Sequence, residues 1–153
     1  MRTAYTVAMA FFLLPALAGS LEPSRQDIAH AAETCTADGA FGIRFGDKPE
    51  PLETATGISP FRLKSLRATR QGGVSAIAAE ASFAKAQMSQ EDRVAVASWV
   101  LHAIDAEIRS TRRFARRDAG DGRIRYLFDN YALVLSRDGT EVLLACARAG
   151  PGG

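Results

Sequence analysis

The sequence predicts an α+β fold: one antiparallel sheet of about five strands in β-β-β-α-β-β order, one long helix packed on one face, and a short N-terminal helix ahead of it. Three observations carry that expectation. Apolar residues recur at three- and four-residue steps between Ser89 and Arg113, several segments alternate apolar with polar residues, and the last forty residues form a hairpin pattern around Asp138-Gly139. With 153 residues, 47% of them hydrophobic, 24% charged, and a net charge of +2, the chain is long enough for one buried core.

Residues 1–18 read as a secretory signal peptide. Met1 to Thr6 carries Arg2 and no acid, Val7 to Ala18 is apolar, and Ala16-Leu17-Ala18 supplies the small residues of a cleavage site. Cleavage is expected after Ala18, with Ser20 as the second choice. Such an apolar run makes a helix of ~18 Å against a hydrocarbon core of ~30 Å, which predicts export without a transmembrane anchor. Export would place the protein in the periplasm or outside the cell, as bacteria do with many small domains. Cys35 and Cys146 would pair there, closing a loop of about 110 residues and contributing roughly 4–5 kcal/mol through loop-closure entropy.

Residues 19–40 form an N-terminal segment with a short helix capped by Ser24, in which Asp27 meets the positive end of the helix dipole. The α+β domain then occupies 41–149. Phe41, Ile43 and Phe45 alternate with Gly42 and Arg44, the pattern of a half-buried strand. Residues 47–60 hold Pro49, Pro51 and Pro60 and predict a loop. Phe61 to Ser65 alternates again until Leu66 breaks the phase; Gln71-Gly72-Gly73 is a turn; Val74 to Phe83 is the next strand, with Ile77, Ala79, Ala81 and Phe83 on a face small enough for a helix to lie close.

Ser89 caps the long helix, Glu91 and Asp92 favour its first turn, and Val94, Ala97, Val100, Leu101, Ile104 and Ile108 form its apolar stripe. It should run to about Arg113, or as far as Arg117, and stop before Gly120-Asp121-Gly122. Arg123 to Ser136 and Glu141 to Arg148 are the closing hairpin. Residues 150–153, Gly-Pro-Gly-Gly, predict a disordered tail.

Few groupings suggest chemistry. His30 and His102 are far apart and no pair has metal-ligand spacing, so neither metal nor cofactor is expected. Ser98, His102 and Asp105 share helical spacing, but a catalytic triad draws its members from separate elements and needs an oxyanion hole. The one concentrated feature is Arg109, Arg112, Arg113, Arg116, Arg117, Arg123 and Arg125. On a continuing helix the first five form one basic ridge, fit for carboxylate or phosphate through bidentate contacts. Opposing that reading, Asp105, Glu107, Asp118 and Asp121 can neutralise part of the run, and sixteen of the 19 basic residues in the chain are arginine anyway. The expected function is a non-enzymatic binding module of the cell envelope, engaging an anionic envelope component or an acidic protein surface, with no nucleic acid partner for an exported chain. The alternative is a small exported hydrolase using carboxylates or His102.

Overall fold

A computed structural model describes residues 24–49 and 60–149. The signal-peptide reading of 1–18, the middle of the proline-containing loop and the 150–153 tail lie outside the described residues. Among the described residues the architecture is α+β with two helices.

Helix α1 (Arg25–Glu33) begins where its cap predicts. The Asp27 amide donates to Ser24 Oγ at 3.1 Å and the Ser24 amide donates back to Asp27 Oδ2 at 3.2 Å, a reciprocal capping box. Its buried face, Ile28, Ala31 and Ala32, packs on the long helix and carries Cys35 to Cys146. The two sulfurs are 2.08 Å apart and both residues are fully buried.

The segment from Phe41 to Phe45 is not the strand its alternation suggests. Gly39–Ala40 (β1) and Ile43–Arg44 (β2) are the arms of a hairpin, and the loop residues Phe41 and Gly42 both have positive φ, 54° and 78°. Positive φ at Phe41 costs on the order of 1–3 kcal/mol, which burial of its ring against Phe61, centroids 5.6 Å apart, offsets by a similar amount. Gly39 is obligatory, because a Cβ there would strike the Ile43 carbonyl oxygen. Phe41 and Ile43 are still buried as expected, and Phe45 half-buried, because the turn aims them at the core.

The main sheet has six antiparallel strands, so the single five-stranded sheet is corrected to a six-stranded sheet plus the small hairpin. Its strands are β3 (Arg62–Ala68), β4 (Val74–Ala81), β5 (Arg116–Gly120), β6 (Arg123–Leu127), β7 (Tyr131–Asp138) and β8 (Glu141–Arg148), in spatial order β3-β4-β8-β7-β6-β5. Helix α2 (Gln90–Thr111) leads from β4 to the far edge, and a meander returns until β8 pairs with β4. The helix therefore ends at Thr111, short of Arg113 and Arg117. The strand expected from Arg123 to Ser136 is two, broken at Phe128-Asp129-Asn130. The added strand β5 turns into β6 through Asp121-Gly122 with φ of 52° and 73°, the loop chemistry of a tight hairpin.

Alternation assigns the two faces. Ile77, Cys146, Leu133 and Tyr126 stand side by side in register on the inner face. There α2 lays Ala97, Val100, Leu101, Ile104 and Ile108 over β7 and β8, rather than over the small residues of β4. The β1–β2 hairpin is clipped to the start of β4, the Gly46 amide donating to Val74 O at 2.9 Å and the Val74 amide to Asp47 O at 2.8 Å. Edge strand β3 carries Arg62, Lys64 and Arg67, and its register shifts between Leu63 and Ser65, which accounts for the phase break at Leu66; charge and bulge together discourage pairing with another chain.

Reducing the buried Cys35–Cys146 bridge should remove roughly 4–5 kcal/mol, since it closes so long a loop. Thermal melts with and without reductant check this, and an unchanged Tm would show that the bridge carries no stability.

Candidate functional site

Asp105 lies on the apolar stripe of α2, on the same side as Leu101, Ile104 and Ile108, and is only 2% exposed. His102, with which its spacing groups it, is exposed. A buried carboxylate needs charge and hydrogen bonds around it. Arg117 supplies both from β5, its Nε donating to Oδ1 at 3.0 Å and its Nη2 to Oδ2 at 2.8 Å. Arg109, one turn along the helix, adds an ion pair at 3.3 Å. The Tyr126 hydroxyl donates to Oδ1 in a short hydrogen bond and accepts from Arg117 Nε at 3.2 Å.

These contacts set the titration of the group. Burial pushes the Asp105 carboxyl up, but hydrogen bonds from Arg117 and Tyr126 and the charges of Arg117 and Arg109 bring it below the ordinary carboxylate range. The Tyr126 phenol is pushed up to about 12, first by burial and then by its bond to the Asp105 carboxylate. Arg117 is held still more firmly protonated than a free guanidinium, chiefly by its hydrogen bond to Asp105.

Arg112 is committed as well. Its Nη1 donates to Ala32 O at 2.8 Å, and its Nη2 donates to Cys35 O and to the Tyr131 hydroxyl, each at 2.7 Å. The guanidinium lies 4.3 Å from the Phe128 ring centroid, and Phe128 stacks on Tyr131 at 4.5 Å. Arg112 thus ties the C-terminal end of α1 to the start of β7 beside the disulfide.

The seven arginines consequently form no single ridge. Arg112 and Arg117 turn inward, and Arg109 rides on α2 above Asp105. Arg113 is exposed in the link after the helix. Arg116, Arg123 and Arg125 share the outer face of β5 and β6, where Arg116 Nε donates to Asp118 Oδ1 at 3.0 Å. The expected neutralisation by Asp105 and Asp118 is therefore present. Ser98, His102 and Asp105 are not a triad, because Asp105 is engaged by Arg117 and Tyr126 beneath the helix.

On the same outer face, at the opposite side, Glu80 and Glu141 come together. Arg62 pairs with Glu141 at 3.7 Å and Lys64 with Glu80 at 3.6 Å. The Glu141 carboxyl is raised above its usual range, first by hydrogen bonding with the Glu80 carboxyl, with Arg62 and Lys64 pulling the other way. Among the described residues no three His, Cys, Asp or Glu side chains are grouped to hold a metal ion, and no helix is long and apolar enough to cross a membrane.

Missing from the sequence reading were the aromatic partners Tyr126, Phe128 and Tyr131 and the inward turn of Asp105. The available signal was Asp121-Gly122, tight-hairpin chemistry ahead of the alternating Arg123 to Leu127, which asks for a pairing strand just before it. Comparison with protein-family models, curated proteins and solved structures gives no match for this chain.

Asp105→Ala should cost roughly 3 kcal/mol, because it takes the carboxylate from the half-buried Arg117 and leaves the Tyr126 hydroxyl only the residue 105 carbonyl. The folded carboxyl is depressed, so its stabilising contribution is present above the ordinary carboxylate range and is lost as pH falls through the lowered value. Urea unfolding should accordingly show the gap between wild type and Asp105→Ala constant around neutrality and closing only in acid. For Tyr126 the folded pKa is raised, so its contribution is complete below about pH 10 and lost as pH climbs towards 12. Absorbance titration should find the Tyr126 phenol resisting ionisation until that range, and its ionising near pH 10 would contradict the buried network.

Proposed function

We propose that the chain is an exported, non-enzymatic binding module that docks an acidic protein surface on the outer face of its six-stranded sheet. The observation that carries this reading is the make-up of that face. Its middle rows are small or apolar, Leu127, Ala132, Val134, Leu143, Ala145 and Ala147, and none of the described elements packs over them. Arg116, Arg123 and Arg125 border the strip on one side, with Asp118 paired to Arg116; on the other lie Arg67 and the pairs Arg62–Glu141 and Lys64–Glu80, so cations outnumber carboxylates along the margins.

Such a face suits a protein partner on three counts. Five strand spacings make it about 24 Å across, and eight-residue strands make it about 27 Å long, comparable with one side of a standard interface of about 800 Å². Small side chains let a partner approach the backbone closely, so apolar contact supplies affinity. Arg123 and Arg125, which belong to no ion pair among the described residues, favour carboxylates at that rim, which speeds encounter and sets orientation. Arg112 and Arg117 have no part in this surface. Export rests on the charge and apolar pattern of residues 1–18, and the buried disulfide fits an oxidising compartment.

A photo-crosslinking side chain placed at Leu127 or Val134, in an exporting bacterial host, should give an adduct with an acidic protein, and the same group at Trp99 on exposed α2 should not. The adduct should vanish in the Arg123→Glu/Arg125→Glu variant and weaken steeply with salt. Equal adducts from Trp99, adducts indifferent to the charge reversal, or transfer to lipid or cell-wall polymer instead of protein would overturn the reading.

A further inference from the structure

A second arginine site lies on the other side of the sheet, beyond the docking surface. A cleft of about 330 Å³ opens where the β1–β2 hairpin meets the end of β8, lined by Ala37, Asp38, Arg44, Phe45 and Arg148. Two arginines and one aspartate, all exposed, thus line one cleft, and among the described residues none of the three belongs to an ion pair.

The walls are held in place. On one side the Phe45 amide donates to Asp38 O at 2.8 Å and the Arg44 amide to Asp47 Oδ2 at 3.1 Å, while Gly46 and Asp47 are bonded to Val74. On the other, Arg148 stands two residues beyond the Cys146 bridge, and the Ala149 amide donates to Asn130 O at 2.8 Å. Little backbone ordering is left to oppose binding in a cleft so framed.

Its chemistry defines the ligand. Arginine suits a carboxylate, through paired N–H donors that lysine lacks. Asp38 in the same wall repels a second negative charge, which disfavours phosphate and dicarboxylates, and it attracts an ammonium. Phe45 gives an apolar contact, and the cleft is roomy enough for a small ligand. We infer that the cleft binds an amino-acid-like zwitterion, its carboxylate on Arg44 and Arg148 and its ammonium on Asp38.

The test is an NMR titration of the intact, oxidised protein with L-alanine, propionate and inorganic phosphate, reading the amide signals of Arg44, Phe45 and Arg148. L-Alanine should give a saturable shift confined to these residues, with propionate and phosphate weaker by about tenfold, the value of one charge-assisted hydrogen bond. Arg148→Gln should weaken L-alanine by a similar factor, and Arg44→Gln provides the second variant should the strand end be disturbed; an unchanged Tm verifies either fold. Asp38→Asn should reverse the preference, bringing propionate level with or ahead of L-alanine. Phosphate or propionate matching L-alanine on the wild type, an unreversed preference in Asp38→Asn, or shifts spread evenly over exposed arginines would overturn the inference.

Discussion

A carboxylate on the apolar stripe of the long helix shapes the far half of the molecule. Asp105 sits among Leu101, Ile104 and Ile108, where an uncompensated charge would cost several kcal/mol. Its compensation comes from Arg117 and Tyr126, twelve and twenty-one residues further along. Had α2 continued through Arg117, that guanidinium would stand about 18 Å along the axis from Asp105, out of reach. The chain has to leave the helix at once and double back as a strand to bring the cation home. The position of β5, the hairpin into β6 and the aromatic packing of Phe114 on Tyr126 at 4.9 Å all follow from that return.

Much of this molecule is readable from residue pattern alone, and the failures share a physical cause. The capped helices, the phase break at Leu66, the buried residues of β7 and β8 and the pairing of Cys35 with Cys146 each rest on local periodicity or simple arithmetic. Strand β5 was hidden because Arg116-Arg117-Asp118-Ala119-Gly120 contains no large apolar residue. As an edge strand it takes its stability from backbone pairing with β6 and from one inward ion pair, neither of which leaves a hydrophobic alternation. The Phe41 turn was hidden for the opposite reason. Its residues do alternate in burial, but a left-handed phenylalanine achieves that as well as a strand does, and Gly42 alone hinted at the reversal.

The candidate site was the hardest part to read, because arginine serves several purposes within a few residues. Arg112 is drawn in by two backbone carbonyls and by the Phe128 and Tyr131 rings, and Arg117 by a carboxylate; neither attraction is visible until distant segments meet. Arg116, Arg123 and Arg125 stay outside because alternation on β5 and β6 sends them to the uncovered face. Spacing of three and four residues suggested a ridge, whereas spacing of two within each strand is what assembles the surface. Arg44 and Arg148 lie a hundred residues apart and meet only because the bridge and the hairpin bring them to one corner.

The disulfide also governs how the domain would bear tension. A pull applied beyond Cys35 on one side and beyond Cys146 on the other passes from one sulfur to the next and bypasses the stretch between them, a sequence separation of 111. The hairpin, α2 and the main sheet up to Cys146 lie inside that closed loop, so their hydrogen bonds stay unloaded while the covalent link holds. Among the described residues, α1 and the last pairings of β8, at Ala147 and Arg148, lie outside it and would bear the load. A domain strung between two neighbours in an oxidising compartment would thus behave as a short inextensible link with its fold kept slack.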